Sequence, residues 1–196
     1  MERMGDDHST ARPLRADARR NRERVLQIAQ EALASDGLAI SFDEIARRAG
    51  FGVGTVYRHF PTREALFEAV LLGRMERFVA DARALATAED PGRAFFGWFR
   101  AVVEQASANQ ALCEMLEGGA VPAFRRGTTL EADFAAALGR LLQRAQRAGA
   151  VRGDLRAEDV QDLLRGCLTA ERRARARGGK VPMAEVVCDG MRSHPR

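Results

Sequence analysis

Residues 41 to 60 read SFDEIARRAGFGVGTVYRHF, a run in which two helix signals flank a glycine-rich turn. Ser41 and Glu44 form a Ser-x-x-Glu capping box, which is typical of the start of a helix. Gly50 follows the last apolar residue of that helix and would end it, and Gly52 can cap a second one. Two short helices joined by a tight, glycine-containing turn predict a helix-turn-helix, whose second helix would enter the major groove of DNA.

The same glycines could instead belong to a loop that cradles phosphate groups. Such a loop needs a strand before it and a Lys-Ser or Lys-Thr pair after it, and the sequence has neither. Turn and cap geometry explains the glycines better, because Phe51 and Val56 then occupy the two positions of a hydrophobic staple. We therefore prefer the helix-turn-helix over the phosphate loop.

Helical periodicity sorts the residues of the second helix into two faces. Val56 and Phe60 are four residues apart, and we expect them to face the core. The residues expected to approach base edges are Val53, Gly54, Thr55 and Arg58. Arginine can read guanine through two hydrogen bonds, and threonine offers a hydroxyl and a methyl group. The residues whose donors suit phosphate oxygens are Tyr57, His59, Thr62 and Arg63.

The composition is that of a globular, helix-rich chain of 196 residues, with 46% hydrophobic and 30% charged residues. A net charge of +4 indicates a nucleic-acid partner only weakly, since the near-exclusive use of arginine also fits a GC-rich coding sequence. Cys113, Cys167 and Cys188 are widely spaced, which argues against a disulfide scaffold or a zinc site. With no signal peptide or membrane span in the pattern, we expect a cytoplasmic protein without cofactor, metal or membrane partner.

Helical spacing of apolar residues continues on both sides of the turn. We predict helices over residues 16–35, from a cap at Thr62 to about Leu85, and over residues 91–109, 110–117, 130–148, 157–176 and 182–191. The expected fold is therefore all-α. The expected domains are a flexible basic arm over residues 1–16, a three-helix DNA-binding domain over 17–70 and a helical domain over 71–196.

Residues 41 to 70 resemble the DNA-binding domain of the TetR family of one-component transcriptional regulators. The resemblance rests on the I-A-x-x-A-G core, the G-T-x-Y-x-H-F recognition helix and the x-x-R-E-x-L-F segment that follows. It implies that Thr55 lies near the bases and that Ser41 contacts the DNA backbone. The positions that match phosphate contacts of the family are Tyr57, His59 and Arg63.

The sequence departs from the family pattern at two places in the turn. Gly52 stands where the family often has a Ser or Thr cap, and glycine caps a helix less well than these residues. Val53 and Gly54 offer no polar groups to base edges. Base reading would therefore rest on Arg58, Thr55 and the shape of the DNA.

The resemblance also implies that the helical domain binds a ligand and forms a dimer, with the last two helices pairing with those of a second copy. A symmetric dimer suits a palindromic operator. The alternative is that the apolar stripes of these helices serve only the core of one chain. The candidate interface residues are Val160, Leu163, Leu164, Cys167, Leu168, Val186, Val187 and Met191.

Aromatic and other apolar residues of the helical domain are candidates for an effector pocket, because ligand sites between helices are largely apolar. Plain core packing explains the same residues equally well. The candidates are Trp98, Phe99, Met115, Leu116, Phe134 and Leu138.

We therefore predict a sequence-specific DNA-binding regulator and no catalytic residues, since neither metal-ligand spacing nor a nucleophile elbow appears. The resemblance implies a repressor that a small-molecule effector releases from its palindromic operator. Release would follow when the effector favours a half-site spacing different from the roughly 34 to 36 Å of one helical turn. The alternative is a helical protein that binds a small molecule or a partner and whose DNA-binding helix is vestigial.

Overall fold

The computed structural model describes residues 11–36, 40–107 and 129–193. Secondary structure in these ranges is helical, apart from an isolated antiparallel bridge between Val151 and Arg192. The all-α class is thereby confirmed. The helices are α1 (Ala11–Asp36), α2 (Phe42–Ala49), α3 (Val53–His59), α4 (Arg63–Leu85), α5 (Pro91–Ser107), α6 (Thr129–Arg147), α7 (Ala157–Ala176) and α8 (Met183–Met191).

The first helix is longer than the sequence predicted. It begins at Ala11, so residues 11–16 are helical and the prediction of a flexible arm is wrong for them. These residues are mostly alanine, arginine and leucine, which are good helix formers, and Pro13 lies in the first turn, where proline is tolerated. The rest of the arm, residues 1–10, and the helix predicted over residues 110–117 lie outside the described residues.

The chain divides into two compact units, Met1–Val70 and Leu71–Arg196. The core of the first unit is built from one face each of α1, α2 and α3, together with the start of α4. Its fully buried side chains include Val25, Ile45, Val56 and Leu66.

The two ends of α2 are set by local hydrogen bonds. The Ser41 hydroxyl accepts the backbone N–H of Glu44 at 3.2 Å, which confirms the predicted start of the helix. Gly50 has a φ of 77°, in the left-handed region that glycine adopts without strain. The N–H of Phe51 donates back to the carbonyl of Ala46 at 2.9 Å, so the chain turns at the predicted glycine.

The turn leads into α3, whose cap is Gly52 and carries no side-chain hydrogen bond. α3 ends when the N–H of Phe60 donates to the carbonyl of Val56 at 2.8 Å. The next helix, α4, starts at a side-chain cap, because the Thr62 hydroxyl accepts the N–H of Ala65 at 3.1 Å.

The core of the second unit surrounds α5. Phe95 and Phe99 are fully buried there, together with Leu138 of α6. The indole N–H of Trp98 donates to the carbonyl of Phe78 on α4 at 3.0 Å, which satisfies the only polar atom of that buried side chain.

Two arginines join α6 to the end of α4 and to the residues that follow it, within the second unit. Arg144 donates to the carbonyls of Ala86 and Ala88, the latter at 2.9 Å. Arg83 forms an ion pair with Asp133. The carbonyls of Ala86 and Ala88, just after α4, thus accept hydrogen bonds from a side chain in a distant part of the sequence.

α8 begins at a cap that comes from another helix. Pro182, at the N-cap position, makes no side-chain cap hydrogen bond. The buried Glu171 carboxylate of α7 accepts the N–H of Met183 at 2.7 Å and that of Ala184 at 3.3 Å through one oxygen. Glu171 therefore has a structural role across the helix pair.

Candidate nucleic-acid interface

α3 presents the two faces that its periodicity predicted. Val56 and Phe60 are 0% and 2% exposed and lie in the core of the first unit. On the opposite side, Gly54, Tyr57 and Arg58 are exposed. The half-buried residues between the two faces are Val53, Thr55 and His59. The outward face of α3 thus carries the base-directed candidates Gly54 and Arg58 and the phosphate-directed Tyr57, whereas Val53 packs partly against the core.

Gly54 contributes no side chain to this surface at the N-terminal end of α3. A Cβ built there would meet no described atom within 4 Å apart from its chain neighbours and its own helix backbone, so packing against other parts of the chain does not require glycine. Glycine in a helix costs about 1 kcal/mol relative to alanine. The space beside Gly54 is therefore free for a group that approaches from outside.

The side chain of Tyr57 projects from α3 and contacts a buried aromatic ring of α2. Its side chain is 51% exposed, while its ring lies 4.8 Å from that of Phe42, at an interplanar angle of 55°. Phe42 is the first residue of α2 and belongs to the buried core. The contact leaves Tyr57 accessible to a phosphate and restrains its ring.

Ser41 and Thr62 lie at the N-terminal ends of α2 and α4. Each hydroxyl oxygen already accepts a backbone N–H of its own helix, from Glu44 and Ala65 respectively. A hydroxyl that accepts one hydrogen bond keeps its hydrogen for an outside acceptor. Both residues can therefore donate to phosphate oxygens near helix ends that favour negative charge.

Two arginines of the first unit lie over aromatic rings. The guanidinium carbon of Arg22, on α1, is 5.1 Å from the centroid of the Phe60 ring. That of Arg63, on α4, is 5.3 Å from the Phe67 centroid. Cation–π contacts of this kind restrain long side chains while leaving their N–H groups at the surface. The sequence marked Arg63, but it did not single out Arg22 within its run of arginines.

The carboxylate of Glu44, on α2, is paired with two arginines of the same helix. Its carboxylate accepts hydrogen bonds from Arg47 and Arg48, at distances of 2.6 to 2.7 Å. These bonds lower the pKa of Glu44 from 4.5 to about 2. Arg48 also pairs with Asp36 at the end of α1, at 2.6 Å. The network differs from a full capping box, in which Glu44 would bond the N-cap backbone.

Two family models match the chain. Residues 25–70 match the bacterial regulatory proteins of the tetR family, and residues 90–193 match a C-terminal domain described as transcriptional regulator SbtR-like. The chain belongs to the TetR family of transcriptional regulators. It is accordingly a helix-turn-helix transcription factor and not an enzyme, as the sequence predicted.

Individual relatives agree with this assignment. A TetR regulatory protein from Mycobacterium vanbaalenii is 45% identical over 92% of this chain and 99% of its own, with a TM-score of 0.67. The TetR regulator SCO0520 from Streptomyces coelicolor is 29% identical over 89% of this chain and 99% of its own, with a TM-score of 0.65. An HTH-type transcriptional regulator from Staphylococcus aureus is 36% identical over 67 residues, and the match spans only 36% of that relative's length.

Four of the six residues predicted for an effector pocket of this TetR-family chain lie in the packed core of the second unit. Phe99 and Leu138 are fully buried, and the rings of Trp98 and Phe134 are 5.6 Å apart. Met115 and Leu116 lie outside the described residues. The plain-core alternative describes these four buried residues, and a role in effector binding stays a prediction.

Two described cavities of the second unit lie elsewhere. One, of about 360 Å³, lies between α5, α7 and the start of α8, and Arg100, Val103 and Arg175 are among its lining residues. The other, of about 500 Å³, lies near the start of α5 and is lined in part by Arg93 and Phe96. None of the four described pocket candidates lines either cavity.

The residues predicted for a dimer interface divide into two groups. Those covered by the chain's own core are Val160, Leu164, Cys167, Leu168 and Met191. Leu163 and Val187 are half-buried, and Val186 is 56% exposed. The apolar stripe of α7 follows the predicted period, but its main face turns inward against α5 and α8. The buried residues contribute to the core of one chain, as the alternative predicted, and their part in a dimer interface stays a prediction.

Cys167 and Cys188 are buried free thiols on α7 and α8. Burial is the largest cause that raises the pKa of Cys167 to about 12 and that of Cys188 to about 11. Both therefore stay protonated near neutral pH and act as small apolar side chains. Cys113 lies outside the described residues.

The part of the chain that the structure describes has neither a metal-ligand cluster nor a membrane-spanning helix. No cluster of three or more His, Cys, Asp or Glu side chains there could hold a metal ion. None of the helices described there combines the length and apolar character that a membrane span requires.

Proposed function

We propose that this TetR-family regulator is a cytoplasmic, homodimeric repressor that binds a palindromic operator and leaves it when a small-molecule effector binds the second unit. The observation that carries the DNA-binding part is the outward face of α3. Its core side is fully buried, while Gly54, Tyr57 and Arg58 are exposed together.

In this proposal the exposed face of α3 divides its contacts between bases and phosphates. Arg58 reads guanine, and Thr55 contacts a neighbouring base through its hydroxyl or methyl group. Val53 and Gly54 allow close approach. The groups that bind the DNA backbone are Ser41, Tyr57, His59, Thr62 and Arg63.

The dimer would form through the exposed side of α7 and α8. Val186 is 56% exposed although it is apolar, and Leu163 and Val187 are half-buried on the same two helices. Family membership supports a two-fold arrangement, which would place two copies of α3 in successive major grooves about 34 to 36 Å apart.

The effector would act by population shift. It would bind in the second unit and favour a dimer whose two recognition helices no longer match one turn of DNA. The cavity of about 360 Å³ between α5, α7 and α8 is the size of a small-ligand site, and it carries Arg100 and Arg175 beside apolar Val103. This cavity, rather than the packed Trp98 cluster, is the better candidate for effector entry.

Selection of bound sequences from a random duplex pool tests the proposal. The wild-type protein should enrich one palindrome. Arg58→Ala should relax the selected sequence at one position of each half-site, because a base contact is lost. Tyr57→Ala should keep the same palindrome and bind it more weakly, because a phosphate contact carries no sequence information.

Enrichment of no sequence by a folded wild-type dimer at moderate salt would overturn the proposal. That result would favour a protein that binds a small molecule or partner without reading DNA. An asymmetric, non-palindromic site would instead overturn the symmetric dimer and leave DNA binding in place.

A further inference from the structure

The aromatic pair at the start of α2 connects two residues that the sequence treats separately. Phe42 directly follows Ser41, packs in the first-unit core and is only 7% exposed. Its ring lies 4.8 Å from the ring of Tyr57, which is 51% exposed in the middle of α3. A residue of the core of α2 thus touches the most exposed aromatic side chain of the recognition helix.

We propose that Phe42 is a positioning residue, which holds the Tyr57 ring in the orientation in which its hydroxyl reaches a DNA phosphate. The proposal rests on the proposed function, because it concerns a phosphate contact of the recognition helix. Phe42 itself, as a buried apolar side chain, makes no polar contact with DNA.

The physical reason is preorganisation. A half-exposed tyrosine on a short helix loses rotamer freedom when its hydroxyl is fixed on a phosphate, and that loss weakens binding. Phe42 has already lost this freedom, since it is anchored in the core. A tilted aromatic pair at this separation has a favourable ring–ring interaction. Contact with the fixed ring therefore orders Tyr57 before DNA arrives.

The contact also links Tyr57 to Ser41. Ser41 caps α2 through its hydroxyl oxygen, and Phe42 is the next residue in the chain. Tyr57 is therefore held beside the same helix end that offers the Ser41 hydroxyl and first-turn backbone amides. In this proposal Ser41 and Tyr57, predicted separately as backbone contacts, both depend on the position of Phe42 at the start of α2.

The first test reads the position of Tyr57 without DNA. Tyr57 is the only tyrosine of the chain, so ¹³C-labelled tyrosine gives one set of ring signals. In the full-length wild-type protein those signals should be shifted by the ring current of Phe42. Phe42→Leu should move them toward the values of an exposed tyrosine. Phe42→Tyr adds a second set of tyrosine signals, and in this variant the set that belongs to Tyr57 should retain its shift.

The second test is a double-mutant cycle on the selected operator. Phe42→Leu should weaken binding about two- to tenfold, the range expected for an aromatic pair. In the Tyr57→Ala background the same change should have no effect, because the side chain that Phe42 orients is gone. Phe42→Tyr, which keeps an aromatic ring, should restore wild-type affinity.

A purely structural role for Phe42 predicts a different pattern. Phe42→Leu would then weaken binding by the same factor with Tyr57 and with Ala at that position. Ile28→Ala, a core change on α1 chosen to lower the urea midpoint by a similar amount, is the control that shows this pattern. That pattern, or tyrosine signals unchanged by Phe42→Leu, would overturn the positioning role while leaving the proposed function intact. Failure of the wild-type protein to select any DNA would overturn both, and the ring signals would then report packing only.

Discussion

At Gly54, helix stability favours a larger residue such as alanine, whereas access of DNA to α3 favours glycine. Apart from its chain neighbours and the backbone of its own helix, no described atom lies within 4 Å of a Cβ built there, so Gly54→Ala should be accommodated without strain. We expect the variant to be more stable by up to about 1 kcal/mol in urea unfolding, because alanine has the higher helix propensity. We expect operator affinity to fall, because the new methyl group would stand where the proposed binding mode brings DNA closest to α3.

Gly97 offers a matched control for this prediction. It is an exposed glycine within α5 of the second unit, and a Cβ there also meets nothing within 4 Å. Gly97→Ala should stabilise the protein similarly and leave operator affinity unchanged. If Gly54→Ala bound the operator as tightly as the wild-type protein, Gly54 would not be a site of close approach.

The pH dependence of stability should depend on Glu44. Its folded pKa is lowered from 4.5 to about 2 by hydrogen bonds from Arg47 and Arg48. A lowered carboxylate pKa contributes stability above the unfolded value, and this contribution is lost as the pH falls. Glu44→Gln should therefore be less stable than wild type at pH 7, with the difference shrinking between about pH 4.5 and pH 2.

Urea unfolding over this pH range measures the effect, and the arginines provide its control. The double variant Arg47→Gln and Arg48→Gln should lose the same pH-dependent increment, since it removes the donors that lower the pKa. A Glu44→Gln curve parallel to the wild-type curve from pH 7 to pH 2 would contradict the assignment.

At the scale of single elements, α8 depends on a side chain of α7. Glu171 accepts the N–H groups of Met183 and Ala184, which open α8. Glu171→Ala leaves both donors without that acceptor, and we expect a loss of about 1–2 kcal/mol. Hydrogen exchange should quicken first in residues 183–191, whereas equal acceleration throughout the second unit would contradict a local capping role.

Glu171→Gln separates the cap from the charge at the same position. Its amide oxygen can still accept the two N–H groups, so most of the protection of α8 should return. Since α8 carries the exposed Val186, the Glu171→Ala variant should also dimerise more weakly if α8 lies in the proposed interface.

At the scale of the whole molecule, the salt dependence of operator affinity shows how many copies of the protein bind one operator. Each basic phosphate contact adds about one unit to the slope of log affinity against log salt concentration. Arg63→Gln should therefore reduce the slope by about two in a dimer and by about one in a monomer. Arg83→Gln, which removes an ion pair with Asp133 in the second unit, should leave the slope unchanged.

Much of the first unit could be predicted because its signals are local. A capping serine, a glycine with positive φ and a four-residue apolar spacing act within one or two helical turns, and each can be read along the chain. Ser41, Gly50, Val56 and Phe60 accordingly lie where their patterns predicted. The family motifs extend over the same short range.

Contacts between elements could not be predicted in this way. Phe42 meets Tyr57 across the turn, Glu171 caps a helix that starts 12 residues later, and Arg144 reaches Ala88 across 56 residues. The apolar period of α7 identified a buried stripe, but it could not distinguish the chain's own core from a partner. Local sequence thus determined most of the helices, the caps of α2 and the exposed and buried faces of α3. The folded chain determined the cap of α8 and which faces meet, because packing partners depend on the spatial arrangement of distant segments.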